Sequence, residues 1–468
     1  MHSTAHATGS PPLSSASATQ QPTLLKTAIV AGIWTLAGHG SSQILRLAGN
    51  LLLTRLLAPE FFGVMSIAMV ITVGVGMFSD LGLRQVLVRS NQADDPVFVN
   101  TVWTLQVLQA LAMSGVLVVF AACIAWAQHR GLVPTGSTYA STDLPAVVIG
   151  LSLSVILGGF ESTRLATAEK ELRLRPVVTI ELASQAAGLL AMAAAALVHP
   201  SIYVLLLGGI VSNGVRVAAS HRIPCGVSNR FAFSHRVARQ VCHVSVWILV
   251  SSGLTFLSGN LDKVVLAGLL GAASMGHFAI AALLVNAIFD LVAKVSGKVA
   301  FPAITKAYER NRAGLARSYQ RARLPIDCFC LLAGAFLFWF GPDVVRLMYD
   351  ARYSDAGWML GILSVTLLGA RYSVVSYVYL LLGRTSLMAA EQAIRLVAVL
   401  VGIAIGYALA GTRGAIWGAA LGQLSGPLAG LLLFQRRLGI VSIQRELAAI
   451  GLFVAALSLF GLIKLTMH

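Results

Sequence analysis

Seven ionisable side chains interrupt runs that are otherwise apolar, and their types suit the holding of an anion. Arg46 stands well inside the run 28–54, and Arg371 lies near the middle of 357–382. Asp290, Lys294 and Lys298 follow one another at i, i+4 and i+8, a spacing that stacks them on one helix face. Glu391 and Arg395 form another i, i+4 pair near one end of the run 389–410. A charge at the centre of a bilayer costs a few kcal/mol or more, so each of these residues requires a reason. Arginine presents a planar fork of donors matched to phosphate oxygens, and lysine a compact point charge. Arg46, Arg371 and Lys294 therefore read as the binding residues of a wet, cationic cavity. Asp290 would hold Lys294 in place, or exchange a proton or cation.

Simpler roles compete at several positions. A neutralised Asp290–Lys294 pair could merely pack a bundle. Lys298 and the Glu391–Arg395 pair fit snorkelling to an interface. Asp262 and Lys263, near the end of a run, fit interfacial pairing or a register role. Asp80 and Arg84 make an i, i+4 pair that could be an ordinary contact or a gate latch. For Arg46 and Arg371 the snorkel is long, which leaves cavity lining as their reading.

The elements that must carry these residues are membrane helices. Of 468 residues, 57% are hydrophobic and 11% charged, whereas a soluble domain carries about 25% charge. Mean hydropathy is +0.80. Runs of about 20 apolar residues fall near 28–54, 62–80, 101–127, 145–166, 177–198 and 201–220. A second set lies near 241–260, 275–301, 325–341, 357–382, 389–410, 413–434 and 446–465, giving about thirteen spans. The net charge of +16 is the loop bias of a membrane protein rather than a nucleic-acid signal. Basic residues crowd one side at 84–89, 170–175, 222–239, 306–323, 384 and 436–445. The other side holds only Arg55, Arg130, Lys263, Arg346, Arg352, Arg413 and Lys464. That asymmetry predicts a membrane protein with a cytoplasmic N-terminus.

The organisation expected is a disordered tail at 1–27 and an N-lobe of six helices at 28–220. A basic, structureless linker at 221–240 follows, then a C-lobe of six helices at 241–435 and an extra C-terminal helix within 436–468. The stretch 168–176 is expected as an amphipathic surface segment. The five cysteines show neither zinc spacing nor a secreted framework. Segments 54–72 and 267–285 align at an offset of 213, with Leu56 and Leu57 meeting Leu269 and Leu270, and Gly63 meeting Gly276. Each segment ends one span and opens the next, and six spans separate them. Parallel repeats of this kind place a transport site between two lobes.

A family resemblance rests on ordered pieces of the chain. LLTRLLAPEFFG at 52–63 and FSDLGL at 78–83 resemble the first hairpin of polysaccharide repeat-unit flippases, the Wzx-like group. SGNLDKVVLAGLLG at 258–271 is similar to the opening of their second half, and FPAITKAY at 301–308 and WMLGIL at 358–363 sit where that family has related patterns. His277 stands where the pattern often has tyrosine. The resemblance implies an all-α membrane fold of about 12–14 helices, in two lobes around a central cavity, in the superfamily of multidrug exporters and lipid II flippases. It also implies transport of an undecaprenyl-pyrophosphate-linked oligosaccharide by alternating access. The pyrophosphate carries about two negative charges, which suits Arg46, Arg371 and Lys294.

Chemistry of other kinds finds no foothold in the motifs. The chain has no GxxxxGK[ST], HExxH or GxSxG pattern. No metal or bound cofactor is expected; H+ or Na+ coupling stays open. The expected partners are the lipid-linked oligosaccharide, membrane lipids and polysaccharide polymerase or export machinery, not nucleic acid, around a monomer. A multidrug or cation antiporter and an intramembrane glycan polymerase or transferase are the rival readings. The mainly basic mid-span charges favour an anionic cargo.

Overall fold

A bilayer offers the backbone no water to bond, so spanning segments satisfy their N–H and C=O groups internally as helices. The structure, a computed structural model, describes residues 21–79, 82–84, 87, 95–311, 314–435, 439 and 443–466. Among them there is no strand. The N-terminal half runs through α1 (Gln21–Leu56), α2 (Pro59–Ser79), α3 (Pro96–His129), α4 (Asp143–Gly159), α5 (Leu174–Val198) and α6 (Ile202–Ser220). The second half runs through α7 (His235–Leu269), α8 (Ala272–Val295) and α9 (Leu315–Met348). Next comes α10, broken into Asp355–Ser364, Leu367–Ala370 and Ser373–Leu381. The helical stretch Thr385–Ala429 turns back on itself at Ala410 and Gly411, giving α11 (385–410) and α12 (411–429). The last helix is α13 (Ile443–Thr466).

Nine described helical stretches are long and apolar enough to cross a bilayer, the α11–α12 hairpin counting as one of them. A tenth is α4 taken with its continuation Arg164–Lys170, bent by 61°. Helices α1 and α7, of 36 and 35 residues, are each roughly 50 Å long at 1.5 Å per residue. The chain is a multi-pass membrane protein.

Five packing relations in the first half recur in the second. In the first half, α1 lies on α5, α2 on α4, α3 on α4, α4 on α6 and α5 on α6. Their counterparts are α7 with α11 through Ser258 and Gln392, α8 with α10, α9 with α10, α10 with α12 through Gly369 and Leu424, and α11 with α12. The two lobes thus share one plan and enclose a central cavity. They meet where α2 crosses α8, at the glycines that the 213-residue offset aligns. A Cβ on Gly63 would strike the Ala272 carbonyl, and one on Gly276 would strike the Pro59 carbonyl. Only glycine permits two backbones this close.

Several boundaries depart from the sequence expectations. Helix α1 begins at Gln21, so 21–27 is helical rather than tail; Pro22 sits in the first turn, where its missing N–H costs nothing. Residues 1–20 lie outside the described residues. The linker is shorter than expected, because α7 starts at His235. Its chain at 221–234 is pinned to the N-lobe: Arg230 N–H donates to Asn100 Oδ1 at 2.9 Å, and Thr104 Oγ1 donates to the Ala232 carbonyl at 2.9 Å. Arg164 also donates to the His221 carbonyl at 2.7 Å. The stretch 168–176 is exposed at its centre and turns tightly between Lys170 and Leu174, where Leu172 takes a left-handed φ of 58°. The extra C-terminal helix, α13, packs along α9.

Candidate functional site

Helix α1 turns one polar stripe toward the gap between the lobes. His39, Gln43, Arg46 and Asn50 recur at i, i+4, i+7 and i+11, which is the repeat of one helix face. Asn286, Asp290 and Lys294 form the matching stripe on α8. The stripes meet at one point: Arg46 Nη2 lies 3.3 Å from Asp290 Oδ2, and Gln43 Nε2 lies 3.5 Å from the same oxygen. The side chains of Arg46 and Asp290 stay 52% and 49% exposed, so the pair bridges a wet gap. Lys294 is half-buried one turn beyond Asp290; His39 and Lys294 lie within electrostatic reach of both Arg46 and Asp290, and Glu181 of α5 lies within reach of His39 and Lys294. Gln185 extends the α5 wall, bonded to Ser42 at 2.9 Å.

This bridge has no symmetry mate. The 213-residue offset carries Arg46 to Gly259, and carries Met77 to Asp290. Where α2 runs along α7 the interlobe packing is apolar, with Phe256 filling the space above Gly74. The repeat therefore does not account for this pair, which stands on one side of a pseudo-symmetric frame.

Arg371 belongs to a different place. It is 3% exposed and sits where α10 is broken, between Ala370 and Ser373. It pairs with Glu446 of α13, and its Nε lies 3.3 Å from Asp327 Oδ1 of α9. Arg323, also 3% exposed, reaches Asp327 at 2.9 Å and Glu446 at 2.7 Å. Tyr372 donates to Glu446 at 2.8 Å, with the Arg323 guanidinium 4.3 Å from the centre of its ring. Two cations and two carboxylates close on one another, so Arg371 is spent inside the C-lobe and does not join Arg46, Asp290 and Lys294.

The other intramembrane charges are tied to the bundle as well. Arg395 donates to the Ser258 carbonyl at 2.9 Å, and Glu391 accepts from Tyr379 at 2.7 Å, so this pair does not snorkel. Lys298 is exposed, within the π-helical turn Ser296–Ala300. Asp262 is buried and accepts from Gln423 at 2.9 Å, while Lys263 donates to Asn260 at 3.0 Å. Arg84 pairs with Glu169; its suggested partner Asp80 lies outside the described residues. Among the described residues no three His, Cys, Asp or Glu side chains gather as metal ligands.

Residues 52–358 match the family described as polysaccharide biosynthesis protein. The chain belongs to that family. No curated protein matches it. Among solved structures, the lipid II flippase MurJ in an inward closed conformation is similar at a TM-score of 0.68 and 13% identity, over 94% of this chain and 93% of that one. An inward-facing multidrug resistance MATE family transporter of the MOP superfamily is similar at 0.62 and 16%, over 85% and 94%. The eukaryotic MATE transporter AtDTX14 is similar at 0.58 and 13%, over 93% and 98%. At these identities the likeness is one of fold. This member of the polysaccharide biosynthesis family shares the fold of those transporters.

The stripe residues His39, Gln43, Asn50, Glu181, Gln185 and Asn286 escape a search for charges in apolar runs, because most of them are uncharged. The heptad-like spacing on α1 was the available signal. For Glu181 nothing short of the fold reveals that α5 faces α8.

Proposed function

We propose that this protein flips undecaprenyl-pyrophosphate-linked oligosaccharide repeat units from the cytoplasmic to the periplasmic leaflet of a bacterial inner membrane, by alternating access, and does not transform them. The observation that carries this reading is the half-exposed Arg46–Asp290 bridge between the lobes. A pyrophosphate entering the gap competes with Asp290 for the Arg46 fork and finds a second cation in Lys294 one turn away. Planar guanidinium donors suit its oxygens better than a point charge does. Gln43, Asn50 and Asn286 supply neutral donors and acceptors for the first sugars, and the lipid tail stays outside between helices. Asp290 and Glu181 are the carboxylates placed to take up a proton or Na+ as the phosphate leaves. Arg371 supports the C-lobe in this reading and does not touch cargo.

The test is the sidedness of lipid-linked repeat units in spheroplasts treated with a membrane-impermeant glycan-modifying enzyme. Cells lacking the protein should protect their repeat units, and complementation should expose them. Units that are accessible without the protein would end the flippase reading and put an intramembrane polymerase first. Export of organic cations in the same cells would instead favour an antiporter.

A further inference from the structure

At the face opposite the N-terminus, each lobe reaches across to cap the first helix of the other. In the N-lobe, the 3-10 turn Thr138–Ala140 precedes α4. Its Thr138 donates both N–H and Oγ1 to the Leu270 carbonyl, each at 2.8 Å, and the Tyr139 hydroxyl donates to the Val264 carbonyl at 2.9 Å. In the C-lobe, the 3-10 turn Ala351–Tyr353 precedes α10. Its Tyr353 donates to the Leu57 carbonyl at 2.9 Å, and Arg352 Nη2 donates to the Arg55 carbonyl at 2.9 Å and lies 3.4 Å from that of Thr54. The 213-residue offset that aligns Gly63 with Gly276 also carries Thr138–Ala140 onto Ala351–Tyr353, and Leu57 onto Leu270. The two straps are therefore one device used twice, in reciprocal directions.

The last carbonyls of a helix have no partner within it, and both straps supply donors to such carbonyls from across the lobe boundary. Burial pushes the Tyr139 phenol up to about 12, so it remains a donor at any physiological pH. Leu57, Thr138 and Tyr353 are fully buried and Leu270 nearly so, and both lobes contribute to the apolar seal around them. The halves differ in chemistry. The C-lobe strap adds a guanidinium, which favours a helix C-terminus, and its Arg352 carbonyl is held by a His277 ring nitrogen at 2.9 Å. The N-lobe strap is uncharged.

We propose that these reciprocal straps are the latch that keeps this face shut, that they must release for it to open, and that Arg352 makes the C-lobe half the stronger. On the orientation proposed above this is the outer face, but the latch does not depend on which cargo is carried.

The test uses the full chain with Ile67→Cys as reporter. Ile67 is fully buried, one helical turn from Gly63 and so beneath the α2–α8 crossing. Spheroplasts are treated with a membrane-impermeant maleimide and labelling is read by peptide mapping, with the native, fully buried Cys330 as a check on folding. Arg352→Ala should raise the labelling rate at the reporter about tenfold, the order expected when hydrogen bonds from a charged donor are lost. Thr138→Ala should raise it less, and the double variant more than either, with Cys330 protected throughout. Unchanged labelling in the double variant would overturn the proposal. So would equal labelling of Cys330, because the straps would then hold the fold rather than a gate. Labelling gained only in inverted vesicles would keep the latch and reverse the orientation. Labelling gained while the repeat-unit sidedness assay fails would keep the latch and remove the flippase reading.

Discussion

Arg46 and Asp290 meet from opposite lobes with about half of each side chain open to solvent. A wet pair of this kind contributes little to stability, so its worth must lie in what displaces it. Replacing Arg46 with Gln should leave the amount of folded protein unchanged and lower repeat-unit exposure in the sidedness assay at least tenfold, about what the loss of one charge-assisted contact implies. Arg46→Lys should recover only part of it, since one point charge cannot reproduce the fork. The buried quartet behaves in the opposite way. Glu446→Gln leaves Arg323 and Arg371 facing Asp327 alone, with all three largely buried. Breaking such a pair from one side costs about 3–5 kcal/mol, so the thermal midpoint in detergent should fall sharply. Removing charge on both sides, with Arg371→Met added, should restore part of the loss. Sequence could show that Arg46 and Arg371 were anomalous, but not that they differ. What separates them is Glu446, distant in the chain and carried on a helix that composition alone left unattached.

Among the elements, the α11–α12 hairpin brings two backbones as close as the α2–α8 crossing does. Gly402 and Gly406 of α11 face Gly418 and Gly414 of α12, and a Cβ on any of them would run into the partner's backbone carbonyl. Apolar runs gave both helices and the turn between them, because 20-residue hydropathy is what a bilayer selects. The closeness of the pair was not legible, since small residues are common throughout this chain. Gly406→Val should therefore lower the thermal midpoint in detergent and reduce accumulation, by the 1–3 kcal/mol typical of overpacking or more. Gly158→Ala is the matched control: no atom lies within 4 Å of the Cβ it would add, and the midpoint should hold. The linker shows a different limit. Its basic composition at 221–234 suggested chain without structure, and it does lack helix, yet Asn100, Thr104 and Arg164 hold its backbone to the N-lobe. Side-chain bonds from residues so far away in sequence leave no periodic trace.

For the whole molecule, the decisive quantity is the number of crossings. The alternation of basic and sparsely basic loops was readable because it sums over the chain, and one missed helix would invert everything after it. Taken as one pass each, as the hydropathy of the sequence suggests, α1 to α13 make an odd number and predict termini on opposite faces. That count depends on α13 being a true crossing rather than a helix lying on the surface. Its packing along α9 supports the crossing, as does the Lys464 ammonium, which lies 2.9 Å from Asp343 of α9 at its far end, while Glu446 is held at its near end. Helix α13 thus runs parallel to α9, with Arg323 and Asp327 beside Glu446 and Asp343 beside Lys464, and is fixed at both ends. A peptide tag on the N-terminus should resist protease added to intact spheroplasts, and a tag on the C-terminus should be cleaved. Both tags resisting would mean that α13 does not cross. The reverse pattern would turn the protein over, placing the Thr138 and Arg352 straps on the cytoplasmic face and the Arg46–Asp290 gap open to the outside.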